Sequence, residues 1–220
     1  EMQPAAGQER GGGFPVRGEN EFTYSHAAIE IDGHQLDKVG VRFKGNSSYR
    51  SSQHGLKRPF KIDTNRFVKG LKWRGRTKLN LSNSFKDASY LREKLGYEVF
   101  QAAGLPVPGV GWAHLNLTIE GEVKQEDLGL YVLIEQVDDN WIERKLGSES
   151  ANSVLMKPEG LAQWPYLGED LQAYERYGIK EGEKNRRLMK RFADFLRLLN
   201  ESDRGEFSRQ VEKYLDLENW

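Results

Sequence analysis

Three short stretches alternate apolar side chains with basic or polar ones. Val39, Val41 and Phe43 alternate with Gly40, Arg42 and Lys44; Phe60 and Ile62 with Lys61 and Asp63; Leu79 and Leu81 with Lys78 and Asn80. Successive side chains of a strand point to opposite faces, so this period of two demands a sheet with one apolar face and one basic face. Ala28-Ile29-Glu30-Ile31 leads through Asp32-Gly33 into the first stretch, which predicts a hairpin. The polar run Asn46 to Ser52 after Gly45 predicts a loop.

Helical periodicity follows. Asp87 is suited to an N-cap, and Leu91, Leu95, Val99 and Ala102 recur at helical spacing until Gly104 and Pro106 end the run. Arg92 falls inside the arc of that apolar stripe and asks for a partner, while Glu93 lies at its edge beside Phe100. Trp112 to Ile119 and Gly129 to Val137 read as two further strands, the second a nearly continuous apolar run ending in Glu135, as a central strand would be. Loops with Gly147, Pro158 and Pro165 then precede a helix over about 183–200, carrying Leu188, Phe192, Phe195 and Leu199. A last helix is expected from near Glu206, with Phe207, Val211 and Leu215 on one face. The fold class is therefore α+β. The expected organisation is a flexible lead-in over 1–21, containing Gly11-Gly12-Gly13, a β-rich lobe over 22–137, and a hinge, loops and helices over 138–220. No internal repeat is evident, which argues against a solenoid or propeller.

Composition removes several function classes. Lys and Arg number 33 against 33 Asp and Glu, so no global field draws the protein to nucleic acid or to an anionic membrane. With no cysteine, disulfides, thiolate zinc sites, iron-sulfur clusters and cysteine nucleophiles are excluded. No apolar run approaches the roughly 18 residues of a membrane span, and no signal-peptide pattern opens the sequence. His26, His34, His54 and His114 show no paired helical spacing for a metal.

Three constellations can carry chemistry. Gly45, Asn46, Ser47 and Ser48, flanked by Lys44 and Arg50, can offer a phosphate several backbone N–H groups and positive charge, although the same residues also make an ordinary turn. Arg42, Lys44, Lys61 and Lys78 project from one side of neighbouring strands, with Glu93 able to meet one of them. In protein kinases a strand lysine paired to a helix glutamate holds the nucleotide phosphates; a solvated lysine-decorated face is the other reading. Glu135-Gln136-Val137 ends the apolar strand where a hinge would expose backbone groups to an adenine. Asp138-Asp139-Asn140 reads as a cap for a helix at Trp141-Ile142 rather than a metal site. Trp164, Tyr166, Tyr174 and Tyr177 either line a groove or pin loops.

Several segments in order resemble the CotH family of atypical protein kinases. They are Val41-Arg-Phe-Lys-Gly-Asn-Ser-Ser48, Arg58-Pro-Phe-Lys61, Leu79-Asn-Leu81, Tyr90-Leu-Arg-Glu-Lys-Leu95, Gly104-Leu-Pro-Val-Pro108, Gly129-Leu-Tyr-Val-Leu-Ile-Glu-Gln-Val137 and Leu155-Met-Lys-Pro158. The resemblance implies an atypical protein-kinase-like fold: a mostly antiparallel sheet lobe with one packed helix, followed by the start of a helical lobe. It also implies binding of ATP with magnesium or another divalent ion, and phosphorylation of serine on proteins, those of the spore coat in bacterial members. Some relatives act at the cell surface, so a secreted, surface or coat-associated location is implied. Carried onto this sequence, Gly45 to Ser48 would cover the nucleotide, with Arg92 nearby. Lys61 or Lys78 would hold phosphate, Glu93 would be the helix partner, and Glu135, Gln136 and Val137 would face the adenine. The family's catalytic and metal-binding acidic residues follow a helix like the one near Glu206, and this sequence ends before them, so weak nucleotide binding and no turnover are expected of it. A non-catalytic surface or coat module that binds protein through its aromatic and basic faces is the alternative.

Overall fold

The computed structural model describes residues 22–147, 150, 153–158, 163–182 and 185–217. The expected lead-in over 1–21 lies outside them. The chain divides into two compact units, the first holding residues 22–101 and Val107–Gln136, the second Ala102–Pro106 and the chain from Val137 onward.

The first unit is built on one six-stranded sheet of β1 (Ser25–Ile31), β2 (His34–Phe43), β3 (Phe60–Asp63), β4 (Lys78–Ser82), β5 (Val110–Ile119) and β6 (Val123–Glu135). The strands lie in the order β1-β2-β3-β4-β6-β5 and every pair is antiparallel. The hairpin joining β1 to β2 turns at Asp32 and Gly33, both at positive φ. The alternation read in the sequence holds: Val39, Phe60, Ile62, Leu79, Leu81, Leu128 and Tyr131 form the core on one face. The sheet curls around that face, so both edge strands line one cavity of about 630 Å³ floored by Phe60, Ile62 and Leu81.

Tyr131 is fully buried, and its hydroxyl has no hydrogen-bond partner among the described residues. Burial pushes that phenol well above its ordinary pKa. Because a desolvated hydroxyl without a partner adds nothing to stability, Tyr131→Phe is expected to leave the unfolding midpoint unchanged or raise it, by up to about 1 kcal/mol. A loss of stability in a denaturant titration would instead reveal a hidden partner for the hydroxyl.

Two local expectations are corrected. The stretch after Gly45 is not a loop throughout: Ser47–Ser51 form one helical turn, α1, with the Arg50 N–H donating to the Asn46 carbonyl at 3.1 Å and Ser52 Oγ to the Ser48 carbonyl at 2.7 Å. Helix α2 (Arg92–Ala102) forms as expected, but no residue in it is buried, and Leu91, Leu95, Val99 and Phe100 are exposed. Lys94 of α2 reaches the sheet with its ammonium 5.8 Å from the Trp112 ring centroid, and Trp112 Nε1 donates to the Tyr90 carbonyl at 2.9 Å. An apolar stripe points to a core only when apolar surface lies beneath it, and here the stripe of Leu91, Leu95 and Val99 is exposed. Asp87 caps α2 from five residues away. Its carboxylate accepts from the Arg92 N–H at 2.9 Å and from Ser89 Oγ at 2.5 Å, and the Ser89 bond, then the Arg92 amide, hold its pKa below the ordinary carboxylate value.

In the second unit, Asp138 accepts from the Trp141 N–H at 3.1 Å and caps α3 (Asp139–Leu146), as the sequence suggested. A short antiparallel pair, β7 (Leu155–Met156) and β8 (Ile179–Glu181), flanks a 3-10 helix over Leu171–Tyr177. Helix α4 (Arg186–Glu201) buries Met189, Ala193 and Leu196 against Tyr174 and Tyr177. Helix α5 (Arg204–Gln210) begins two residues ahead of the expected Glu206, because Asp203 caps it through the Glu206 N–H at 2.8 Å. Tyr174 and Tyr177 pin loops: their hydroxyls donate to the Gly168 and Pro165 carbonyls at 2.8 and 2.6 Å. No helix among the described residues is long and apolar enough to cross a membrane.

Candidate active site

Strand register decides which polar side chains share a face. Arg42 lies opposite Lys61, Lys61 opposite Asn80, and Asn80 opposite Ile134, giving one row across β2, β3, β4 and β6. Directly opposed residues point the same way, so Arg42, Lys61 and Asn80 stand side by side on the face away from the core. The next row on that face contains Gly40, Asp63 and Lys78.

All three members of the central row are buried, at 5 % exposure for Arg42, 8 % for Lys61 and 5 % for Asn80. Buried charge is tolerated only with compensating partners. Arg42 donates to the Phe43 carbonyl at 3.1 Å and lies 5.2 Å from the Tyr24 ring centroid, with Arg66 at 4.9 Å from the same ring. Asn80 Nδ2 is shared between the Ile134 carbonyl at 3.3 Å and Gln136 Oε1 at 3.2 Å, while Asn80 Oδ1 is buried with no partner among the described residues. An acceptor left open among cations, in an otherwise hydrogen-bonded row, is a place for a ligand's donor. The signal for Asn80 was its position two residues beyond Lys78 on an alternating strand.

The other sequence candidates fall as follows. Gly45 has φ +77, and a Cβ there would lie 2.2 Å from Ser48 Oγ, so the turn into α1 requires glycine. Asn46 Oδ1 in that turn is likewise buried with no partner among the described residues. Ser47 is exposed and Ser48 half-buried. No ion pair joins Glu93 to Lys61 or Lys78 among the described residues; Glu93 is exposed, and its charge acts with burial to raise the Tyr97 phenol, burial being the larger cause. Arg92 is also exposed; its guanidinium lies 3.8 Å from Asp87 Oδ1 and donates to the Lys86 carbonyl at 3.5 Å.

The hinge segment differs from expectation. The Glu135 N–H donates to the Gly109 carbonyl at 2.9 Å and the Gln136 N–H to the Lys78 carbonyl at 3.4 Å, so both amides are committed to the sheet rather than open to an adenine. The Glu135 side chain lies on the core face, because its direct partner is Leu79. There its carboxylate accepts from Arg76 Nε at 3.1 Å and from the Gly109 N–H at 3.0 Å. Val137 belongs to the second unit.

This geometry can neutralise a polyanion and offer it one hydrogen-bond acceptor. It does not extend to a metal, since no group of three or more histidine, aspartate or glutamate residues among those described could hold one. Comparison with known families gives a match to CotH kinase protein over residues 41–220. The chain belongs to the CotH kinase family. A comparison with curated proteins returns no match. The CotH match spans β2 from Val41, β3, β4, β5 and β6, and so includes the whole Arg42, Lys61 and Asn80 row.

Proposed function

We propose that this chain carries the nucleotide-phosphate site of an ATP-dependent protein serine kinase of the CotH type, acting on coat or cell-surface proteins. The observation that carries the reading is the buried row of Arg42 and Lys61 beside the open acceptor of Asn80. Phosphoryl transfer relies on positioning and on neutralising the charge of the phosphates, and a cationic sheet face supplies both. Lys61 is the phosphate lysine in this reading, because it stands between a second cation and an amide, whereas Lys78 has the carboxylate residue Asp63 as its direct cross-strand partner. Asn80 Oδ1 accepts a hydrogen from the nucleotide, and the Gly45 turn closes over it. Magnesium would reduce the charge of the phosphates, but the described residues do not form its ligand set, and no step is assigned to it.

Calorimetric titration with ATP and magnesium tests this. Lys61→Ala is expected to weaken binding by at least about tenfold, the loss of one charge-assisted contact of about 1.5–3 kcal/mol, and Lys78→Ala by less. Equal binding by the parent chain and the Lys61 variant would remove the assignment. The absence of binding by folded protein would leave a non-catalytic binding module as the reading.

A further inference from the structure

The second unit carries a groove of about 750 Å³ lined by Arg186, Arg187, Lys190 and Arg191 of α4 together with Lys213, and Asp194 is the one acid among its described lining residues. Its apolar floor is made by Leu171, Leu188 and Tyr214. Two of the five cations already have partners. Lys190 Nζ lies 3.1 Å from Asp194 Oδ1 and 3.8 Å from Glu169 Oε2. Arg191 donates to the Lys213 carbonyl and lies over the Tyr214 ring at 5.6 Å. The side chains of Arg186, Arg187 and Lys213 make no hydrogen bond or ion pair among the described residues.

Stability does not account for this arrangement. The first turn of α4 contains no acid, and its arginines sit at the positive end of the helix dipole, where cations are unfavourable. Like charges converging on one concavity repel each other as well. The sequence as a whole balances 33 cations against 33 anions, so the groove is a local concentration of charge rather than a sample of a basic protein. Both costs disappear when an anion occupies the groove.

We propose that this groove docks an acidic segment of a partner protein. Carboxylates of the segment pair with Arg186, Arg187 and Lys213, whose forked and ammonium donors are open, and an apolar side chain of the segment rests on Leu171 and Leu188. The apolar floor separates this occupant from a bare phosphate, which has nothing to place there. Nucleic acid fits poorly, because the groove's one aromatic ring, Tyr214, is already stacked under Arg191. The groove lies in the second unit and does not draw on the nucleotide reading.

Fluorescence anisotropy on the whole chain tests the proposal, with a labelled peptide of glutamate and leucine, its glutamine counterpart, inorganic phosphate and anionic lipid vesicles as probes. The glutamate peptide is expected to bind, to weaken as salt rises from about 0.03 M to about 0.3 M, and to lose at least about tenfold in affinity in an Arg186→Ala, Arg187→Ala double variant. A charge-matched control, Lys86→Ala with Lys124→Ala, is expected to lose less than about twofold, since both lysines lie in the first unit. Any one of three results overturns the proposal: equal losses in the two double variants, equal binding of the glutamine peptide, or preferential binding of phosphate or vesicles. All four substitutions are at exposed positions, and coincident melting curves establish that folding is unaffected.

Discussion

Glu135→Ala is expected to destabilise the first unit by about 3 kcal/mol, the range for removing one partner of a buried pair. Glu135 is 4 % exposed, and its carboxylate ties together two segments distant in sequence. One oxygen pairs with Arg76, which lies just ahead of β4, and the other accepts from the Gly109 N–H at the entry to β5. Truncation therefore leaves a partly buried guanidinium and a backbone N–H without their acceptor, and opens a void beside Leu79. Each of these effects acts in the same direction. Glu135→Gln keeps an acceptor for Gly109 and is expected to cost less, about 1–2 kcal/mol. Amide hydrogen exchange over β4 and β6 reads the loss within the first unit without assuming that both units unfold together. Protection in the alanine variant equal to that of the parent would show that the pair contributes nothing.

Gly182→Ala is expected to unfold the β7 and β8 pair. The position has φ +76, and a Cβ there would stand 2.1 Å from the Ser153 carbonyl oxygen. The left-handed backbone alone costs an L-residue about 1–2 kcal/mol, and the contact adds to it because the obstacle is backbone that cannot rotate away. Gly178, at the other end of β8, has the same problem: φ +66, with a Cβ 2.3 Å from the Lys157 carbonyl oxygen. Either substitution is expected to cost about 3 kcal/mol or more, the strain of a forced backbone with overpacking added. Gly55→Ala is the control, since that position has no positive φ and nothing within 4 Å of the added carbon. Similar melting curves for Gly182→Ala and Gly55→Ala would contradict the geometry.

The β-sheet was legible because its signal is local. Alternation in the segments around Lys61 and Lys78 assigned both faces correctly, and register then needed only the backbone ladder. What the sequence could not supply was the neighbour above each face. The stripe of Leu91, Leu95 and Val99 has the spacing of a buried helix surface, yet it is exposed, and Lys94 reaches Trp112 of the sheet. Glu135 was read as the end of an apolar strand and therefore as a hinge group. The same alternation, counted back through Leu133 and Tyr131, places it on the core face, where an arginine distant in sequence meets it. Asn80 carries no distinctive pattern in the sequence, where it is one polar residue of an alternating strand. Its oxygen lacks a donor among the described residues, which only the folded chain reveals. The basic groove escaped notice for a related reason, since Lys213 joins the α4 cations only through tertiary structure.

In the proposed site, nucleotide phosphates lie on the basic face of the sheet, beside Lys61. An acyl-phosphate derivative of ATP tests it most directly: a lysine amine attacks the probe's acyl carbon, an amide forms, ATP leaves, and mass spectrometry identifies the lysine. Lys61 is expected to be labelled ahead of Lys78, and excess ATP with magnesium is expected to suppress that labelling while leaving exposed lysines such as Lys124 unaffected. Labelling confined to exposed lysines, or labelling of Lys61 that ATP does not reduce, would contradict it.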